Sequence, residues 1–258
     1  MPSFQVPGAV LNLSWSDEDG HPVVQLHGLT SSRRRDRQLN LDLGSGLNGT
    51  RLLRYDARGH GRSTGRPVPD DYRWPALADD LLRLLDAWFP GEAVHGVGPS
   101  MGCATLLHAA MRDPDRFDGL TLMLPPTAWE SRAAKAAEYF DAADRVEQHG
   151  MAAFAADPHR ELPPAQAGVP DTEPDVAESI FPALLRGAAM SDLPTLEAIS
   201  TIRARVTLLA WVGDAGHPLS TAEALLSALP NASLQVAHKP EDVARWPGVL
   251  LDDVAAGS

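Results

Sequence analysis

Residues 93–97, Ala-Val-His-Gly-Val, run without a break into Gly98-Pro99-Ser100-Met101-Gly102, and an apolar helical stretch over 104–111 follows directly. This strand, tight turn and helix constrain the fold more than any other segment. A serine at such a turn sits on strained backbone that lifts its hydroxyl above a sheet edge. The flanking glycines are needed because strand and helix then pass too close for side chains. The five-residue pattern is weak alone, and its context makes it specific. It marks Ser100 as a candidate nucleophile, against the plainer reading of a glycine-rich turn without chemistry.

Elsewhere short apolar runs alternate with helical patterns, which predicts an α/β fold: a mostly parallel central sheet with helices on both faces. Strands are expected at 51–55, 93–97, 120–124, 206–212 and 233–236. Residues 10–15 and 23–26, joined through the turn 17–20, are expected to open the sheet as a hairpin. Leu77, Leu81, Leu84, Leu85 and Trp88 recur at helical spacing with Asp79, Asp80 and Arg83 opposite them, the mark of a core-facing helix. From 127 to 199 the alternation stops. Helical pieces at 133–143 and 182–190 flank a proline-rich connector that starts at Leu162-Pro163-Pro164. The division expected is an α/β core of residues 1–126 and 200–258, with 127–199 as a helical cap over the strands' C-terminal edge, where open α/β sheets place their ligand crevice.

With 258 residues the chain can bury a large core without disulfides or metals. Its one cysteine, Cys103, excludes an intramolecular disulfide and a thiolate metal cluster. The formal charge of -12, from 34 acidic and 22 basic side chains, disfavours nucleic acid and anionic membrane as partners. Arg33, Arg34, Arg35 and Arg37 are a local exception, read as a solvated helix start. The first ten residues lack the pattern of a signal peptide, and no run approaches the roughly 18 apolar residues of a membrane span. The expectation is a soluble, cytoplasmic protein.

Three further segments carry polar chemistry. His27-Gly28-Leu29 leaves a strand, and the amides of Leu29 and Met101 are candidate donors to a developing oxyanion. His27 itself reads as a structural histidine holding that loop. Residues 55–63, Tyr-Asp-Ala-Arg-Gly-His-Gly-Arg-Ser, lack the Gly-Lys-Ser/Thr of a phosphate loop, so Asp56, Arg58 and His60 are expected to shape the loop by bonding backbone. Asp214 ends the most apolar strand of the C-terminal half. A carboxylate there can orient an imidazole in the crevice, against the plainer reading of a turn aspartate.

In this order, His27-Gly28, the loop from Asp56 to Ser63, Gly98 to Gly102 and Gly213-Asp214 resemble the capped α/β-hydrolase superfamily, above all its small esterases, enol-lactone hydrolases and C–C bond hydrolases. The resemblance implies Ser100 as nucleophile, Asp214 as the acid, Leu29 and Met101 as oxyanion donors, and neither metal nor organic cofactor. Epoxide hydrolases and dehalogenases of that superfamily carry aspartate where Ser100 stands. The superfamily places its histidine after the last strand, commonly preceded by glycine. His238 in Val236-Ala237-His238-Lys239-Pro240 lies there, without the glycine, and is the expected general base. His217 competes, although three residues of separation from Asp214 on one loop reads as poor geometry. His95 and His108 are expected to pack, and Cys103 has no base assigned to it.

The function expected is hydrolysis of a small carboxylic ester or lactone through an acyl-enzyme, under a lid carrying Phe140, Met151, Phe154, Phe181 and Leu185. Two alternatives stand beside it. One is a hydrolase-fold binding or signalling protein with weak or lost catalysis; the other is an acyltransferase or thioesterase.

Overall fold

Pro7 and Gly8 reverse the chain at its start, with Gly8 at φ +80°, where only glycine is unstrained. They join strands β1 (Ser3–Val6) and β2 (Ala9–Trp15), which pair antiparallel with Val6 opposite Ala9. The computed structural model describes residues 2–16, 19–155 and 162–257. Within them follow β3 (His21–Gln25), α1 (Arg33–Gln38), β4 (Thr50–Tyr55), α2 (Trp74–Trp88), β5 (Val94–Pro99), α3 (Met101–Arg112) and β6 (Phe117–Met123). Next come α4 (Arg132–His149), α5 (Ala152–Ala155), α6 (Phe181–Ala189) and α7 (Leu196–Ile199). The chain closes with β7 (Arg205–Trp211), α8 (Leu219–Ala228), β8 (Ala232–Ala237), α9 (Pro240–Val243) and α10 (Trp246–Ala255).

The strands form one sheet in the order β1-β2-β4-β3-β5-β6-β7-β8, parallel from β4 to β8. The expected α/β architecture is therefore present, but its opening differs from the expected hairpin. β2 pairs with β4, Leu13 opposite Tyr55, and β4 separates it from β3. The hairpin is instead β1–β2, at a turn the apolar pattern did not flag. Residues 17 and 18 of the expected turn lie outside the described residues. Val23, Val24 and Gln25 of β3 are all buried, as suits a central strand covered on both faces. β2 alternates buried Leu11 and Leu13 with less buried Asn12 and Ser14, as suits a strand near an edge.

Successive residues of a strand point to opposite faces, so the sheet divides the core in two. Val24 and Val94 pack with Leu77, Leu81, Leu84 and Leu85 of α2 and Leu106 of α3. Val23 and Val97 pack on the other side with Trp246, Leu250 and Val254 of α10. Between β6 and β7 the elements are helical among the described residues, and α4 packs on α6 through Ala143, Val146, Phe181 and Leu185. Met151 and Phe154 join this cluster, with the Phe154 ring 4.8 Å from that of Phe181. Phe140 does not: it lies on the outer face of α4, 39% exposed. Among the described residues no helix is long and apolar enough to cross a membrane.

Candidate active site

Ser100 joins β5 to α3 at φ 52° and ψ -108°, a conformation costly for a residue with a Cβ. Its amide donates to the Met123 carbonyl at 2.9 Å and its carbonyl accepts from the Ala104 amide at 3.0 Å, so sheet and helix hold the turn from both sides. The glycines are required by contact. A Cβ on Gly102 would stand 2.9 Å from Leu26 Cβ and 3.1 Å from the His27 carbonyl oxygen, and one on Gly98 3.0 Å from Leu26 Cβ.

The loop after β3 runs beside this turn. A Cβ on Gly28 would lie 3.9 Å from Ser100 Cβ. His27 Nε2 accepts the Ala57 amide at 2.9 Å, which leaves Nδ1 to carry the proton and donate to the Gly28 carbonyl at 2.8 Å. That carbonyl belongs to the same peptide plane as the Leu29 amide, so His27 orients the amide through its own peptide bond. Burial lowers the His27 pKa, with the Asp56 carboxylate partly opposing it. The amides of Leu29 and Met101 have no acceptor among the described residues.

Asp56 and His60 bond backbone groups as expected, whereas Arg58 bonds a side chain on α2. Asp56 accepts from the Arg33 amide and guanidinium and from the Arg62 amide. Arg58 makes two bonds of 2.6 Å to buried Asp80 on α2, and His60 Nδ1 donates to the Arg58 carbonyl at 2.9 Å. Burial drives the His60 pKa down to about 3, so that ring is neutral.

Asp214 follows β7, and the loop turns back on itself at once. Gly213 adopts φ +76°, and Asp214 Oδ1 accepts the Gly216 amide at 2.8 Å and the His217 amide at 3.3 Å. An aspartate that bonds amides two and three residues ahead closes a tight turn, which brings the side chains of residues 214 and 217 to the same side. His217 Nδ1 then lies 2.7 Å from Asp214 Oδ2, and His217 Nε2 lies 2.8 Å from Ser100 Oγ. With the carboxylate accepting at Nδ1, the proton sits there and Nε2 is free to accept the serine hydroxyl. Trp211 Nε1 donates a further bond to Asp214 Oδ2 at 2.7 Å. Burial would push the Asp214 carboxyl up, but donors from His217, Trp211 and Gly216 outweigh it and hold it well below the usual carboxylate range.

The imidazole against Ser100 is thus His217 and not His238. His238 is exposed just past the edge strand β8, where its amide donates to Asp242 Oδ2 at 3.0 Å. The turn explains the misplacement. Three residues is too short a span for an extended loop, but it is the separation at which a turn brings its ends together. The signal was present in Asp214-Ala215-Gly216-His217-Pro218, an aspartate and a glycine at turn positions before a proline. His95 and His108 pack as expected, bonding Thr121 Oγ1 and the Asp192 carbonyl. Cys103 is buried, which pushes its thiol pKa up and away from the reactive thiolate. Among the described residues no group of three or more His, Cys, Asp or Glu side chains is placed to hold a metal ion.

A family model described as alpha/beta hydrolase fold matches residues 21–179, more than half of the chain. The chain belongs to the α/β-hydrolase fold family. It is 29% identical over 245 residues to the "Putative carbamate hydrolase RutD" of Caulobacter sp. (strain K31), a match covering 87% of each chain. Its fold is similar to that of the enol-lactonase from Burkholderia xenovorans LB400, with a TM-score of 0.78 and 20% identity over 98% of this chain and 100% of that one. It is also similar to a thermophilic esterase from Thermogutta terrifontis, with a TM-score of 0.74 and 20% identity over 99% and 97% of the two chains. At that identity the two structures speak for the fold alone. In this member of the family, the Asp–His pair stands within a single loop between β7 and α8.

Proposed function

We propose that this α/β-hydrolase-fold protein is a serine hydrolase that cleaves a small carboxylic ester or lactone through an acyl-enzyme. The observation that carries the reading is the continuous chain of hydrogen bonds from Asp214 through His217 to Ser100. Ser100 Oγ attacks the substrate carbonyl carbon as its proton passes to His217 Nε2. The resulting positive imidazole is held by the Asp214 carboxylate at Nδ1. The carbonyl oxygen, now negative, is received by the unpaired amides of Leu29 and Met101. The His217 proton then goes to the leaving alkoxide, and the C–O bond breaks to give the acyl-enzyme. Water, deprotonated by the same imidazole, attacks the acyl carbon, and the proton returns to Ser100 as the acid departs. Residues 127–199 act as the cap, since their apolar cluster of Phe181, Leu185, Met151 and Phe154 reaches Leu29. A carbamate, whose carbonyl takes the same attack, is a second substrate class, favoured by the similarity to the Caulobacter protein.

The test is labelling by a fluorophosphonate probe together with turnover of p-nitrophenyl acetate. The wild type is expected to label at Ser100 and Ser100→Ala not at all. His217→Ala should react on the order of 10²–10⁴-fold more slowly, the usual range for loss of a general base. His238→Ala should match the wild type. A wild type that neither labels nor turns over ester would overturn the reading in favour of a binding protein.

A further inference from the structure

We infer that Trp211 is a positioning residue for the catalytic pair, acting through its indole N–H on Asp214; this rests on the serine-hydrolase reading above. Asp214 Oδ2 receives two donors at 2.7 Å, the Trp211 indole and His217 Nδ1. Its other oxygen receives the two turn amides of Gly216 and His217. The four donors leave the carboxylate one rotamer. The turn amides hold Oδ1 and the backbone of residues 214 to 217, and the indole, coming from the end of β7, is the donor from outside the loop that aligns Oδ2 where Nδ1 meets it.

The indole is itself immobile. Trp211 is 2% exposed, its ring stacks on that of Trp246 at 6.1 Å with 21° between planes, and its edge faces the His217 ring at 6.4 Å and 80°. Rigid strand and stacked ring therefore give the N–H a fixed direction. A second consequence is electronic. A carboxylate bonded by the indole shares its charge with one more donor, which moderates its pull on the positive form of the imidazole.

Trp211→Phe removes the N–H while keeping an aromatic ring in the stack, and Trp246→Phe disturbs the same stack without touching the N–H. With p-nitrophenyl acetate, Trp211→Phe is expected to lower kcat about tenfold with KM nearly unchanged, the scale of one hydrogen bond to a charged group. The acid limb of its kcat/KM profile should move to higher pH, because a carboxylate relieved of one donor holds the positive imidazole more tightly. Lys135 and Tyr139 on α4 also feel the Asp214 charge, and they are the same in both variants. Trp246→Phe should lower thermal stability and leave the acid limb in place.

A second measurement needs no variant at Trp211 to fold. In nitrogen-15 spectra the Trp211 indole proton should resonate downfield of the other indoles and move upfield in Asp214→Asn. Equal pH profiles for Trp211→Phe and the wild type, or an indole signal unmoved in Asp214→Asn, would overturn the assignment while wild-type labelling at Ser100 left the hydrolase reading standing. A wild type without labelling would overturn both.

Discussion

Replacing Asp214 by asparagine keeps the shape of the side chain and removes two acceptor sites, and the structure sets what that costs. Each carboxylate oxygen now receives two N–H donors. An amide can present its oxygen to one pair only, and its NH2 must then face the other. If NH2 faces the turn, the Gly216 and His217 amides lose their acceptor and the turn loosens. If it faces Trp211 and His217, the indole is orphaned and the imidazole must accept at Nδ1, which puts its proton on Nε2. In that tautomer the ring cannot take the proton of Ser100.

The charge is lost to all four donors on either path and at least one N–H is left without an acceptor. A bond to a charged group is worth roughly 1.5–3 kcal/mol, so Asp214→Asn should unfold at lower urea with stability reduced by about 3 kcal/mol. Activity should fall about 10⁴-fold, the usual penalty for the wrong tautomer in such a constellation. The stability difference is itself pH-dependent. The Asp214 carboxyl is depressed in the folded protein, so the stability it contributes is complete above the unfolded value near 4 and is lost as pH falls below it towards the folded value. Urea titrations at pH 7 and pH 3 should therefore show the gap between wild type and Asp214→Asn narrowing in acid. Equal urea midpoints at pH 7, or fluorophosphonate labelling within tenfold of the wild type, would refute the reasoning.

Two further predictions concern the scaffold. Arg58→Met strands the buried Asp80 carboxylate and should cost about 3–5 kcal/mol in urea denaturation, most of which Arg58→Met with Asp80→Leu should recover. Gly102→Ala forces α3 away from Leu26 and the His27 carbonyl, and should lower stability by about 1–3 kcal/mol in thermal melts, with a larger relative loss in labelling rate than in stability.

The legible part of this protein was the local part. The strained turn at Ser100 between two glycines, and the fixed order of strand, turn and helix, depend on residues adjacent in the chain, so they could be read from it. The contact of both glycines with Leu26, just past the end of β3, could not. The leucine face of α2 was legible for the same reason, as was His60 bonding the Arg58 carbonyl within one short loop, whereas Arg58 itself reaches Asp80 on α2. The hairpin went to the wrong strands because pairing is a choice among distant partners. β4, arriving some 35 residues after β2, took the place beside it that proximity gave to β3. Phe140 was read as lid lining because apolar residues on a weakly amphipathic helix do not state which face turns inward.

The choice of histidine shows the limit most clearly. Sequence alone determined that a serine would stand on a strained turn at the sheet's edge, with an aspartate at the end of a later strand. Which imidazole completes the chain was decided by tertiary structure, across 117 residues between Ser100 and His217. A hydrogen bond tolerates an error of a few tenths of an ångström, whereas a residue's place in the chain locates its side chain only to within a turn or a loop. The Asp214 turn, held by its own carboxylate and by the Trp211 indole, supplies that remaining accuracy, and it does so only once β7 is packed in the sheet.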